Sequence, residues 1–144
     1  MVRISRLTKS SVSALADIRA LMSQLRSDRA EHGGKLSDLN EMVKNKNLVI
    51  VVAKDGNRIV GVGSLYSLTK VGKKIGYVED VVVNEEYRGQ GLGKRIMNEI
   101  IATARKKKLQ NLFLTSKPAR VAANALYQKL GFEIVKTNPY RLTI

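Results

Sequence analysis

Three alternate glycines, Gly89, Gly91 and Gly93, sit between a valine-rich run and the clearest amphipathic segment of the chain. A joint of this kind needs backbone that can turn sharply or approach a ligand closely, which glycine permits. The run before it, Ile75 to Val83, reads as a strand. The run after it, Leu92 to Lys108, places Ile96, Met97, Ile100, Ile101 and Ala104 on one helical face. Its closing Arg105-Lys106-Lys107-Lys108 complements the helix dipole and is read that way, not as a nucleic-acid motif.

The rest of the chain falls into place around that joint. Val2 to Leu7 alternates as a strand. Ser10 or Ser11 caps a helix carrying Val12, Leu15, Ile18, Met22 and Leu25, and Ser37 caps a shorter one carrying Leu39, Met42 and Val43. Asn47 to Ala53 and Arg58 to Ser67 form a hairpin across Asp55-Gly56-Asn57. A basic turn over Thr69 to Lys74 leads into the next strand. Beyond the long helix come a strand at Asn111 to Thr115 and a helix starting near Thr115, Ser116 and Pro118. That helix carries Val121, Ala122, Ala125, Leu126 and Leu130, and Gly131 ends it as a left-handed cap. Phe132 to Thr137 and Tyr140 to Ile144 read as two closing strands. The order gives an α/β sandwich around a mixed sheet, in one domain over residues 1–144.

Composition removes several chemistries. There is no cysteine and a single histidine, His32, which excludes thiolate chemistry and histidine-rich metal sites. His32 itself is read as a solvated loop residue. The longest apolar runs are far too short to span a membrane, and no signal-peptide pattern opens the chain, so a cytoplasmic protein with no membrane partner is expected. The net charge is +14, from 26 Lys and Arg against 12 Asp and Glu, which favours polyanionic partners or serves only as a solvated surface. Aromatic residues are 5% of the chain and tryptophan is absent, which argues against nucleic acid as that partner.

Free N–H groups at a helix start attract an anion, helped by the dipole. Arg88 and Lys94 flank the glycines with positive charge, so a diphosphate fits. A Walker loop does not: it needs glycine where Arg88 stands and Ser or Thr where Arg95 stands. A Rossmann loop needs G-x-x-G spacing after the first strand, whereas Gly91 and Gly93 are separated by one residue after a late strand. A ligand-free glycine turn is the structural alternative.

Val81-Val82-Val83-Asn84-Glu85-Glu86-Tyr87-Arg88-Gly89-Gln90-Gly91-Leu92-Gly93-Lys94 resembles the acetyl-CoA signature of the GNAT acetyltransferase superfamily. Ala123, Leu126-Tyr127 and Leu130-Gly131-Phe132 resemble its second motif, in the expected order. The resemblance implies a mixed, mostly antiparallel sheet of six to seven strands flanked by about four helices, with a V-shaped splay between central strands. It implies acetyl-CoA as cosubstrate, no metal, and direct acetyl transfer to a primary amine of a small molecule or a protein. A non-catalytic CoA-binding regulatory domain of the same fold is the alternative, and a homodimer is compatible with either.

By the same resemblance, Val81, Val82 and Val83 bind pantetheine through their backbone, with the Val81 N–H as oxyanion donor. Arg88, Gly89, Gln90, Gly91, Leu92, Gly93 and Lys94 hold the pyrophosphate, and Asn124 and Tyr127 face the cofactor. Tyr127 is the expected general acid for the departing thiolate. Glu79 is the candidate base and Asp80 its competitor, since alternation along a strand points only one of them at the cleft. Arg120 stands where many members carry Asn, and Thr115 where some carry Glu, which departs from the ribosomal-protein and N-terminal acetyltransferase pattern. The acceptor is assigned to Ser27 to Leu36, Ser67 to Lys74 and the C-terminal hairpin. Both of these loops carry Lys or Arg, which fits an acidic acceptor.

Overall fold

The computed structural model describes residues 1–26, 28–31 and 33–144; Ser27 and His32, and with them the reading of His32 as solvated, lie outside the described residues. The chain forms two compact units, Met1–Leu114 and Thr115–Ile144.

The first unit is built on a five-stranded sheet of β1 (Val2–Arg6), β2 (Leu48–Asp55), β3 (Arg58–Lys70), β4 (Lys73–Val83) and β5 (Asn111–Phe113), in that spatial order. The first three pairings are antiparallel, and only β4 and β5 run parallel. A parallel pair needs a crossover, and helix α3 (Leu92–Lys106) supplies it. Helices α1 (Val12–Leu25) and α2 (Leu36–Lys44) connect β1 to β2.

β2 shows how the layers are made. Ile50 and Val52 join one cluster with Leu21, Met22 and Leu39 of α1 and α2. Val51 and Ala53 point the other way and are fully buried as well. A strand covered on both faces reads as a continuous apolar run and not as an alternating one. The α3 face depends on two residues without side chains. A Cβ on Gly61 would lie 2.9 Å from Ile96, and one on Gly63 would lie 2.9 Å from Ile96 and 3.0 Å from Ile100. Both isoleucines are completely buried.

Local signals account for most boundaries. The Ser11 Oγ accepts the Ala14 N–H at 3.1 Å and caps α1. Helix α2 starts earlier than Ser37 because the Asp38 carboxylate accepts the Lys35 N–H at 2.7 Å, making Lys35 the N-cap. The β3–β4 turn narrows to Val71 and Gly72, with Gly72 at φ +80°, so both strands run further into the basic segment than their apolar pattern does.

The second unit holds α4 (Val121–Lys129), with Arg120 and not Ser116 as its N-cap. Gly131 has φ +97°, the left-handed cap its position requires. The two closing strands do not form. No ladder includes residues 132–144, and Ile134, Tyr140 and Leu142 are each more than four-fifths exposed. Among the described residues the sheet therefore has five strands and not the expected six to seven. Alternation records strand propensity, but a strand exists only where a partner takes its N–H and C=O groups.

The packing at Gly63 predicts that Gly63→Ala loses about 1–3 kcal/mol, because an added methyl in a filled core displaces its neighbours. Denaturant unfolding measures this. An unchanged midpoint would show that Ile96 and Ile100 yield freely.

Candidate active site

The β3–β4 ladder slips in its middle. Val62 pairs with Val82 and Ser64 with Glu79, so Gly63 on β3 faces both Asp80 and Val81 on β4. This is a β-bulge, with Asp80 as its left-handed residue at φ +54°. It cancels the alternation on which the choice between Glu79 and Asp80 rested. Glu79 lies opposite Ser64 and shares its face. Asp80 lines the same cavity as Ser64. Val81 turns to the α3 face, within 3.4 Å of the Cβ position of Gly63. Both carboxylates therefore serve the α1–α2 side of the sheet.

Their proximity has electrostatic consequences. Partial burial, then the charge of Asp80, pushes the Glu79 carboxyl above its ordinary value. Burial, then Asp80 and Glu79, pushes the Tyr66 phenol up in the same way. Tyr66 packs against the α1–α2 core, so the two acids sit at the border of an apolar wall.

That wall encloses a cavity of about 170 Å3. Helix α1 contributes Leu15, Ile18 and Met22, and α2 contributes Leu39 and Met42. At the sheet end stand Val62, Ser64 and Asp80. Sequence reading did not single out Ser64; the available signal was one hydroxyl inside the apolar run Ile59 to Leu65.

The far half of β4 is open on one edge. β5 pairs with Ile75, Gly76 and Tyr77, and among the described residues Val81, Val82 and Val83 have no strand partner on that side. Beyond Val83 the chain is tied down repeatedly. The Asn84 N–H donates to the Val60 carbonyl at 2.9 Å, and the Asn84 side chain accepts the Glu86 N–H at 3.0 Å. The Tyr87 hydroxyl donates to Asp55 at 2.8 Å, and the Arg88 Nε donates to the Val83 carbonyl at 3.1 Å.

The glycine segment then bends into α3. Gly89 and Gly91 have φ +79° and +75°. A Cβ at either would meet nothing within 4 Å, so the demand for glycine is conformational and not steric. Gly91 is the N-cap of α3 and has no side chain to satisfy the first turn. The helical ladder resumes with the Arg95 N–H on the Gly91 carbonyl at 3.1 Å, which leaves the N–H groups of Leu92, Gly93 and Lys94 directed out of the helix start. Gln90 and Lys94 are exposed beside them. The arrangement suits an anion.

Within the second unit, Tyr127 packs edge-on against Phe132 with ring centroids 6.0 Å apart. Burial pushes its phenol up, and the Arg120 charge opposes that shift. The Asn124 amide donates to the Lys117 carbonyl at 3.0 Å and so ties α4 to the segment before it. Among the described residues no group of three or more His, Cys, Asp or Glu is placed to hold a metal, and no helix is long and apolar enough to cross a membrane.

Residues 15–132 match the sequence model of the acetyltransferase (GNAT) family. The chain is 33% identical over 105 residues to a glucosamine 6-phosphate N-acetyltransferase of Trypanosoma brucei brucei, with 69% of each chain covered. It is 36% identical over 91 residues to a probable glucosamine 6-phosphate N-acetyltransferase of rice, and spans 53% of that protein. The crystal structure of a Trypanosoma brucei acetyltransferase superposes with a TM-score of 0.78 at 28% identity over 100% of both chains.

A Gly91→Ala variant should lose about 1–2 kcal/mol from its left-handed backbone alone. Inorganic pyrophosphate should also protect it less than the parent in a heat-shift series. Equal protection of the two proteins would detach this loop from anion binding.

Proposed function

The chain belongs to the acetyltransferase (GNAT) family and is an acetyl-CoA-dependent enzyme that acetylates a primary amine; from that premise we propose how its own residues divide the work. The observation that carries the proposal is the β3–β4 slip, which sets two carboxylates on one face of a strand whose edge stands open.

Acetyl-CoA supplies an acetyl group activated as a thioester. The N–H groups at the start of α3, with Arg88, Gln90 and Lys94 around Gly89, Gly91, Leu92 and Gly93, hold its pyrophosphate. The open backbone of Val81, Val82 and Val83 takes the pantetheine arm as an added strand would be taken. The Val81 N–H donates to the carbonyl oxygen as charge develops on it. Residues 1–144 act as one domain, a reading supported by a family match that runs through both compact units.

An alkyl ammonium has a pKa of about 10.4 and must lose a proton before its nitrogen can attack. Glu79 accepts that proton, directly or through water. Its raised pKa makes it a stronger base than an ordinary glutamate. Asp80 attracts the ammonium and holds up the basicity of Glu79. The amine nitrogen then bonds to the acetyl carbon, the carbon–sulfur bond breaks, the Tyr127 hydroxyl gives its proton to the sulfur, and the second proton shed by the acylated nitrogen restores the Tyr127 phenol through water. Burial keeps that phenol protonated at neutral pH, and Asn124 fixes the start of α4, on which Tyr127 is carried.

Two variants test this division. Glu79→Gln should lower kcat/KM by about 10²–10⁴-fold with acetyl-CoA binding retained, and Tyr127→Phe should lower it by about 10²-fold. Activity as fast as the parent's in either variant removes that residue from the chemistry. The pH profile tests the pairing. Glu79 must be ionised, so kcat/KM rises with pH along a limb displaced above the ordinary glutamate value of about 4.3. In Asp80→Asn the neighbouring charge is gone and the limb moves to lower pH. A limb that stays in place would show that Asp80 does not govern the base.

A further inference from the structure

We infer that the acceptor is an alkyl or arylalkyl primary amine, with its apolar group in the cavity between α1, α2 and the sheet and its nitrogen at Ser64 and Asp80. This rests on the acetyltransferase reading above and narrows it to a substrate class.

The first ground is size and surface. The cavity measures about 170 Å3. An apolar cavity of about 150 Å3 holds a benzene molecule, so the space here suits a group of six to eight non-hydrogen atoms, in round terms. Its side wall is Leu15, Ile18, Met22, Leu39 and Met42. Methionine adapts its shape to an irregular apolar guest. A sugar placed against this wall would leave several hydroxyls without partners, at about 1–3 kcal/mol each.

The second ground is the polar end. Ser64 is 2% exposed and lines the cavity together with Asp80. An amine there donates to the Ser64 Oγ, and as an ammonium it is attracted by Asp80. Arg19, Lys35 and Asp38 line the cavity as well, and part of their polar capacity is taken up within the protein: Arg19 is paired with Glu31 at 2.8 Å and the Asp38 carboxylate accepts the Lys35 N–H at 2.7 Å.

The experiment compares initial rates of thiol release from acetyl-CoA with 2-phenylethylamine, isoamylamine, ethylamine, glucosamine and glucosamine 6-phosphate. The expected result is a kcat/KM for the two larger apolar amines at least tenfold above that for either sugar. Met42→Phe, which fills the cavity, should raise the KM for 2-phenylethylamine at least tenfold and that for ethylamine far less. Its heat-shift response to acetyl-CoA should match the parent's. Ser64→Ala removes that acceptor. It should raise the KM for the apolar amines severalfold with the heat-shift response to acetyl-CoA retained. Preference for glucosamine 6-phosphate, or KM values for the apolar amines unmoved in both variants, overturns the inference and leaves the acetyltransferase reading standing. No turnover with any amine overturns both.

Discussion

The ladder between β3 and β4 slips by one residue at Gly63, and the arrangement of the site depends on that slip. With regular pairing, Glu79 and Asp80 would point to opposite faces. With the extra residue they serve one face, while Val81 turns toward α3 and Val82 returns to the α1–α2 core. The bulge thus lets one strand keep its two buried neighbours and still present two adjacent carboxylates. Partial burial raises the pKa of Glu79, and the like charge of Asp80 so close adds to the rise.

The bulge works only because β4 is held from both ends. β5 pairs with it from Ile75 to Tyr77, and the Asn84, Tyr87 and Arg88 hydrogen bonds fix the chain just past Val83. On the α3 side, Gly61 and Gly63 let Ile96 and Ile100 approach the sheet closely. The start of α3, with its outward N–H groups, is therefore positioned against β3, the strand paired with the one that carries the carboxylates.

Much of this was legible in the residues. The alternating glycines mark a strand-to-helix turn, and Gly89 and Gly91 do adopt left-handed backbone there. Leu48 to Ala53 reads as a buried strand because both faces are apolar. The bulge was not legible: a register slip belongs to a pair of strands, and neither sequence shows it alone. The choice posed between Glu79 and Asp80 followed from assuming regular alternation. The cavity was hidden for a similar reason, since Leu15, Met22, Leu39 and Met42 look like core residues until their packing leaves space. Phe132 to Ile144 misled in the opposite direction, having the pattern of strands but no ladder to join.

On the proposed division of roles, Asp80 also sets stability against turnover. An L-residue with φ +54° carries strain of roughly 1–2 kcal/mol that glycine would not carry. Selection for heat resistance alone would favour glycine at position 80. The residue found there keeps the carboxylate at the expense of a more robust fold, and strain of this kind collects where a protein does its chemistry. In a library screened for survival at high temperature, Asp80→Gly would emerge among the thermally hardened and catalytically impaired clones.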